Sequence, residues 1–321
     1  MIKNKVIFIT GGAGFIASHL IERLVEHNQV VLYDNLHRNA FQYLAQRDHK
    51  NIRFIQGDVL DAQLLKDSMV GANICVHAAA IAGIYTVGAS ASKTIKVNLI
   101  GAYHALEAAL ANGIERFIDF STSEVYGPFV FRGKESGNTT QGPLNEKRWI
   151  YAVSKLASEH LTHSYAHDYN LKVSSIRPFN VYGPRQVGEG AIQQMIIQAL
   201  NNEPITIFND GTQIRSWCYV SDFVDGLYNM LFHDNAVNQV FNIGNPQATS
   251  TNLMLAKTII RLVGSQSKII FKPHPGPEVE MRVPNIEKAQ ELLNFEPKVD
   301  LDGGLLLTIE WFKAHLANRV K

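Results

Sequence analysis

With 321 residues, 46% hydrophobic content and a formal net charge of +1, the chain has the makeup of an enzyme-sized globular protein, either one large α/β domain or two unequal lobes. The near-neutral balance leaves no electrostatic case for nucleic acid or an anionic membrane as a partner. Cys75 and Cys218 are too few for a disulfide framework, although one bridge stays open. The apolar run before Gly11-Gly12 is too short for a signal segment or a membrane span, so the cytoplasm is the expected compartment.

Taken in order, Lys5–Thr10 reads as a buried strand: short, apolar, β-branched and ended by glycine. Helical spacing follows from Phe15 through Leu24 and Val25, then a second strand, Gln29–Tyr33, closing on Asp34. The pattern repeats in Ile52–Ile55 with Gly57-Asp58 behind it, and in Ile74–His77 with Ala78-Ala79-Ala80 behind it. A helix is expected from about Lys93 to Asn112, then a strand over Arg116–Phe120, a helix carrying Tyr151, and a strand over Val173–Arg177. Strands alternating with helices predict a Rossmann-type, doubly wound parallel sheet covered on both faces. Sites in such sheets lie beyond the carboxyl ends of the strands. Thr10, Asp34, Asp58, His77 and Ser121 all fall at or just past those ends.

After Pro178 the texture changes to turn-rich pieces such as Val187–Gly190 and Asn209–Gly211. Residues 1–178 are expected to form the dinucleotide-binding domain and 179–321 mainly a smaller substrate lobe, with a segment near 240–243 returning to the main sheet.

Gly11-x-x-Gly14-x-x-Ala17 opens a helix directly after a strand. The first glycine suits a tight turn, Gly14 lets the backbone approach a pyrophosphate on the helix N-terminus, and Ala17 permits close helix–strand packing. Asp34, twenty residues after Gly14, is placed to bind a ribose 2′-hydroxyl and to repel a 2′-phosphate, which favours NAD over NADP. A P-loop is disfavoured because no Gly-Lys-Ser/Thr follows.

The polar cluster Ser121-Thr122-Ser123-Glu124 ends the Arg116–Phe120 strand, and Tyr151 and Lys155 lie four residues apart, on one helix face. An ammonium near a phenol lowers its pKa from about 10 and makes it a usable base toward a sugar hydroxyl. Thr122 is suited to hold the same hydroxyl.

These pieces, with Thr10–Ile16, Gly57-Asp58-Val59, His77–Ala80, Asn98, Arg177–Arg185 and Asp210–Arg215, resemble the extended short-chain dehydrogenase/reductases. Within them the likeness is to the nucleotide-sugar epimerase and dehydratase group, over nearly the whole chain. The resemblance implies a bound NAD, held by Gly11, Gly14, Phe15, Ile16, Asp34 and Asn35. It adds Asp58, Val59, Ala78, Ala79 and Pro178 to that set, with Tyr151 and Lys155. It implies a nucleotide-sugar substrate, a UDP-sugar by the closer motifs, met by Tyr85, Asn180, Arg185, Arg215 and Arg282. It also implies a homodimer through the Lys93–Asn112 and Tyr151–Tyr169 helices.

Thr122-Ser123-Glu124, Arg148–Tyr151, Arg215–Tyr219, Asn242–Pro246 and Arg282–Ile286 are similar to UDP-glucuronic acid decarboxylases. Ser123 stands where 4,6-dehydratases carry Asp, so dehydration is disfavoured. The implied catalytic set is Thr122, Ser123, Glu124, Tyr151 and Lys155, with Glu124 or a water on Ser123 protonating C5 after CO2 is lost. The Ala80–Gly88 loop instead looks like that of uronate 4-epimerases, and 4-epimerisation is the alternative. A non-catalytic NAD-binding protein is a remoter one, because it would need none of Thr122, Tyr151 and Lys155. His160, His163 and His167 are read as a solvated or subunit face and not a metal site, since His160 lies about half a turn around the helix from Tyr151.

Overall fold

Short β-branched runs separated by helices pair only after a crossover, and this generates parallel neighbours. The computed structural model describes residues 2–274 and 276–316. Its first strands are β1 (Val6–Thr10), β2 (Gln29–Asp34), β3 (Ile52–Gln56), β4 (Ile74–His77) and β5 (Arg116–Phe120). Between and after them lie α1 (Phe15–Leu24), α2 (Ala62–Ser68), α3 (Ile84–Ala89), α4 (Ala91–Ile95) and α5 (Gly101–Ala111). The chain continues through β6 (Phe129–Gly133), α6 (Trp149–Tyr169) and β7 (Val173–Pro178).

Beyond it come β8 (Val181–Tyr182), α7 (Ala191–Leu200), β9 (Ile205–Phe208), β10 (Ile214–Ser216), β11 (Cys218–Tyr219) and α8 (Val220–Met230). The last part comprises β12 (Gln239–Ile243), β13 (Thr249–Thr251), α9 (Asn252–Val263), β14 (Ile269–Lys272), β15 (Met281–Pro284), α10 (Glu287–Leu293) and α11 (Leu301–Leu316).

The main sheet has seven strands in the order β3-β2-β1-β4-β5-β7-β12, every pair parallel. Chain order reverses between β1 and β4, which is the switch point where such sheets open a crevice. Thr10 pairs in register with His77, His77 with Asp119, and Asp119 with Ser175. A row of polar side chains therefore crosses one face of the sheet. The strands are otherwise sheathed in apolar core on both sides, by α2, α5 and α6 on one face and by α1 and α8 on the other.

The expected division at residue 178 is not a clean cut. β6, within residues 1–178, pairs with β15 in a second sheet of order β13-β10-β15-β6, and β12 returns to the edge of the main sheet beside β7. A buried joint ties the two parts together. Arg177 on β7 donates from Nε to Glu159 Oε2 at 3.0 Å and from Nη1 to Tyr126 Oη at 2.7 Å. Tyr126 donates to Asn242 Oδ1 at 2.8 Å, and the Asn242 backbone N–H donates to Glu135 Oε1 at 2.8 Å.

The helix expected over Lys93–Asn112 is α4, a π turn over Lys96–Ile100, and α5. The wider turn carries Asn98, whose amide accepts from Ile81 N at 2.7 Å and donates to Ile81 O and Ser154 Oγ. Cys75 and Cys218 are both buried and unbridged. Among the described residues no helix is long and apolar enough to cross a membrane.

Candidate active site

The carboxyl ends of the main-sheet strands and the second sheet enclose a cavity of about 660 Å³. Its floor is the turn after β1. Gly11 has φ +69°, and a Cβ there would stand 2.7 Å from Ala79 N, so the turn lies flush against Ala78-Ala79 and no side chain fits between. Gly14 is the N-cap of α1 and brings no side chain to cap it, which leaves the helix N-terminus facing the cavity as an anion cradle. Asp34 accepts from Ala13 N at 3.1 Å and from Leu36 N at 2.6 Å, so it both fixes the turn and lines the cavity. Phe15, Ile16, Asn35, Asp58, Val59 and Pro178 line the same wall. The cradle and the Asp34 carboxylate fit a dinucleotide with a free ribose 2′-hydroxyl.

At the other end stand Thr122, Ser123, Glu124, Tyr151, Lys155, Asn180 and Arg282. Thr122 caps a short 3-10 turn, accepting from Glu124 N at 3.2 Å, and this aims Ser123 and Glu124 beside Tyr151. Asn180 is held at φ +40° and donates to Ser216 O at 2.8 Å.

Two groups stand in a different state from the one their spacing suggests. Lys155 is expected to acidify Tyr151. Instead its Nζ lies 3.7 Å from Asp119 Oδ1, with side chains 1% and 0% exposed. The Tyr151 phenol is pushed up to about 12, first by burial and then by Glu124 and Asp119, while the Thr122 hydroxyl and Arg38 work the other way. Glu124, expected as a proton donor, is a carboxylate. Burial alone would raise it, but Arg282, Arg148 and Arg215 together hold it at about 2. Arg282 Nη1 donates to Glu124 Oε1, and Arg148 Nη2 lies 3.3 Å from Oε2. Arg215 is the register partner of Arg282 in the second sheet, and burial beside that like charge brings it down to about 10. Two guanidiniums thus contact one carboxylate, and a third adds its charge from farther off.

Three of the expected substrate residues do not reach the cavity wall. Arg215 stands off it, bonded to Val279 O and Ile214 O. Arg185 is spent on α1, donating to both oxygens of Glu22 at 2.6 and 2.8 Å. Tyr85 is 62% exposed, because its backbone is pinned from the other side. Glu189 accepts from Tyr85 N at 2.8 Å, from Thr86 N at 2.9 Å and from Thr86 Oγ1, and Arg38 lies 3.7 Å from the same carboxylate. Arg38 Nη2 also donates to Ala82 O at 2.8 Å. This clasp is part of the cavity wall, since Arg38, Thr86 and Glu189 all line it.

Sequence reasoning assigned no role to Arg38, Asp119, Glu189 or Arg148. Only Arg148 left a readable signal, three residues before Tyr151 on the same helical path. The three histidines do not act together: His163 Nε2 meets Ser175 Oγ at 3.2 Å, and His167 sits against Asp168 in solvent. Among the described residues no group of His, Cys, Asp and Glu is assembled to hold a metal.

Residues 7–244 match the model of the NAD dependent epimerase/dehydratase family. UDP-glucuronic acid decarboxylase 3 of Arabidopsis thaliana is 36% identical over 98% of this chain and 90% of its own. The UDP-N-acetyl-alpha-D-glucosaminuronate decarboxylase of Bacillus cytotoxicus is 34% identical over 97% of this chain and 98% of its own. Among solved structures, UDP-glucuronic acid 4-epimerase from Bacillus cereus, in complex with UDP-glucuronic acid and NAD, superposes with a TM-score of 0.87 at 30% identity, covering 97% and 99% of the two chains.

Proposed function

This chain belongs to the NAD dependent epimerase/dehydratase family, and from that premise we propose that it is an NAD-dependent decarboxylase of UDP-glucuronic acid or a close UDP-uronate. NAD, when bound, supplies reversible oxidation of the sugar at C4, and a ketone there lies β to the C5 carboxylate, so that loss of CO2 leaves an enolate. The turn at Gly11 and Gly14 would hold the pyrophosphate and Asp34 the ribose. Tyr151 Oη moves the C4 hydroxyl proton, and Thr122 fixes that hydroxyl's angle.

The observation that carries the choice of substrate is the Arg148–Arg282–Arg215 cluster around an ionised Glu124. Of the three only Arg282 lines the cavity, and the surplus positive charge behind it suits an acidic sugar. Glu124 at about 2 has no proton to give at neutral pH. Protonation at C5 therefore falls to Ser123 Oγ or a water on it, and Glu124 orients the guanidiniums. Asn180 and Arg282 contact the sugar nucleotide. Homodimerisation through α5 and α6 is supported by Tyr103 and Val153, left 46% and 44% exposed on their outer faces. A 4-epimerase is the second reading, because the Ile81–Val87 segment resembles the epimerase loop.

Incubation with NAD+ and UDP-glucuronic acid, and in parallel with its N-acetylated analogue, tests this by product mass. A product lighter by one CO2 is expected. An isomer of unchanged mass overturns the decarboxylase in favour of the epimerase. Tyr151→Phe is expected to lower kcat by about 10²–10⁴ with nucleotide binding retained, and undiminished turnover removes Tyr151 from its role.

A further inference from the structure

The polar row inside the sheet edge holds a charge that the proposed chemistry does not use. Asp119 sits on β5 between His77 of β4 and Ser175 of β7 in register, so all three side chains point to the face that α6 covers. A buried carboxylate is costly unless paired and hydrogen-bonded. Elsewhere the protein meets that requirement: Glu159 places both oxygens on Arg177, and Asp222 accepts from Lys298 N and Val299 N. Asp119 differs. Both its oxygens lack a hydrogen-bond partner, as do Lys155 Nζ beside it and His77 Nε2 on the neighbouring strand. Its close counter-charge is the lysine that shares a helix face with Tyr151.

We propose that Asp119 is a positioning residue for the proton-transfer pair: Asp119 and Tyr151, both bearing on the Lys155 ammonium, compete for one proton, and its place decides whether Tyr151 is a base. This rests on the reading of Tyr151 as the base. With Asp119 ionised, the Lys155 charge is neutralised from below and Tyr151 keeps its phenol proton. With a proton on Asp119, the ammonium charge bears on Tyr151 Oη and the phenolate is favoured. Between these two forms one O–H bond breaks at Tyr151 and one forms at Asp119, while Lys155 begins and ends as an ammonium. No proton is exchanged with solvent.

The titratable and charged groups facing Asp119 are Lys155, Glu159 and Tyr151 on α6 and His77 on β4; β7 offers Ser175, with His163 behind it. Burial pushes Asp119 up to about 6, against the pull of Lys155, and His77 is held neutral by burial and by Lys155. Above the titration of Asp119 the share of phenolate then stays level over a span as wide as the coupling between the two sites, because they compete for the same proton, and it rises again beyond that span. The residue would flatten the pH response of the base.

Ultraviolet difference titration of tyrosinate, taken as the parent protein minus Tyr151→Phe, reads Tyr151 without turnover. The same difference in an Asp119→Asn background is expected to place the Tyr151 midpoint about one pH unit or more lower. An unchanged midpoint overturns the proposal. In kcat/KM against pH, the wild type should level off for about one unit above the Asp119 titration before rising again, while Asp119→Asn rises about tenfold per unit with no such step. Parallel profiles that differ only in height mean a purely structural residue and overturn the proposal too. If Asp119→Asn fails to fold, Asp119→Ser carries the same titration. A wrong substrate leaves the tyrosinate result standing, whereas an unchanged midpoint in a protein that does release CO2 removes this inference alone.

Discussion

Glu124 shows how a single environment reassigns a side chain. Its position after Thr122 suggests an acid, yet its partners are Arg148, 24 residues on, and Arg282, 158 residues on. No local pattern announces a partner at that distance. A carboxyl depressed to about 2 from 4.5 contributes stability that is fully present above pH 4.5 and is lost as the pH falls through about 2. Glu124→Gln is therefore expected to be less stable at neutral pH by roughly 3 kcal/mol. The gap to the parent should close between pH 4.5 and 2, as urea melts at a series of pH values would record. Tyr151, Lys155 and Thr122 were legible because helix spacing and a strand end bring them together. The pairing of Lys155 with Asp119 was not, because Asp119 reads in the sequence as one polar residue in an apolar strand.

Among the elements, the early strands were readable almost to their ends, since each is a short apolar run closed by a turn residue. β6, β10, β13 and β15 were not, because a sheet of three- to five-residue strands assembled across the chain leaves too little periodicity. The π turn at Lys96–Ile100 was likewise invisible, its sequence being that of an ordinary helix. The clasp at Glu189 makes a prediction at this scale. α3 has Gly83 as its N-cap and no side-chain cap of its own; Glu189, about a hundred residues on in the chain, supplies that cap. Glu189→Ala should remove two charge-assisted bonds to the Tyr85 and Thr86 amides. Their hydrogen exchange should accelerate by roughly tenfold or more, with the exchange of β5 unchanged. Equal rates at Tyr85 and Thr86 would show that the clasp does not hold the loop.

Across the whole molecule, the joint at Arg177 matters most. Its guanidinium, 4% exposed with Glu159 at 6%, lies where β7, α6, the Tyr126 turn and β12 meet. Replacing it with Met leaves Glu159 buried and unpaired, so Arg177→Met is expected to cost about 3–5 kcal/mol. The measurement is chemical denaturation, in which both parts of the protein should unfold at a single lowered midpoint. Two separate transitions would mean that the parts are not coupled through this joint.

The return of β12 to the main sheet has a consequence for synthesis. β7 ends at Pro178 and its outer neighbour begins at Gln239, so a ribosome must add 60 intervening residues before the sheet can close. Through that interval the nascent chain carries β7 as an open, apolar edge, the kind of edge that recruits foreign strands. The N-terminal region cannot mature first and wait. A fragment ending at residue 178 is expected to aggregate or remain molten on its own, and one extended through residue 243 to gain protease resistance, which limited proteolysis of stalled chains would reveal.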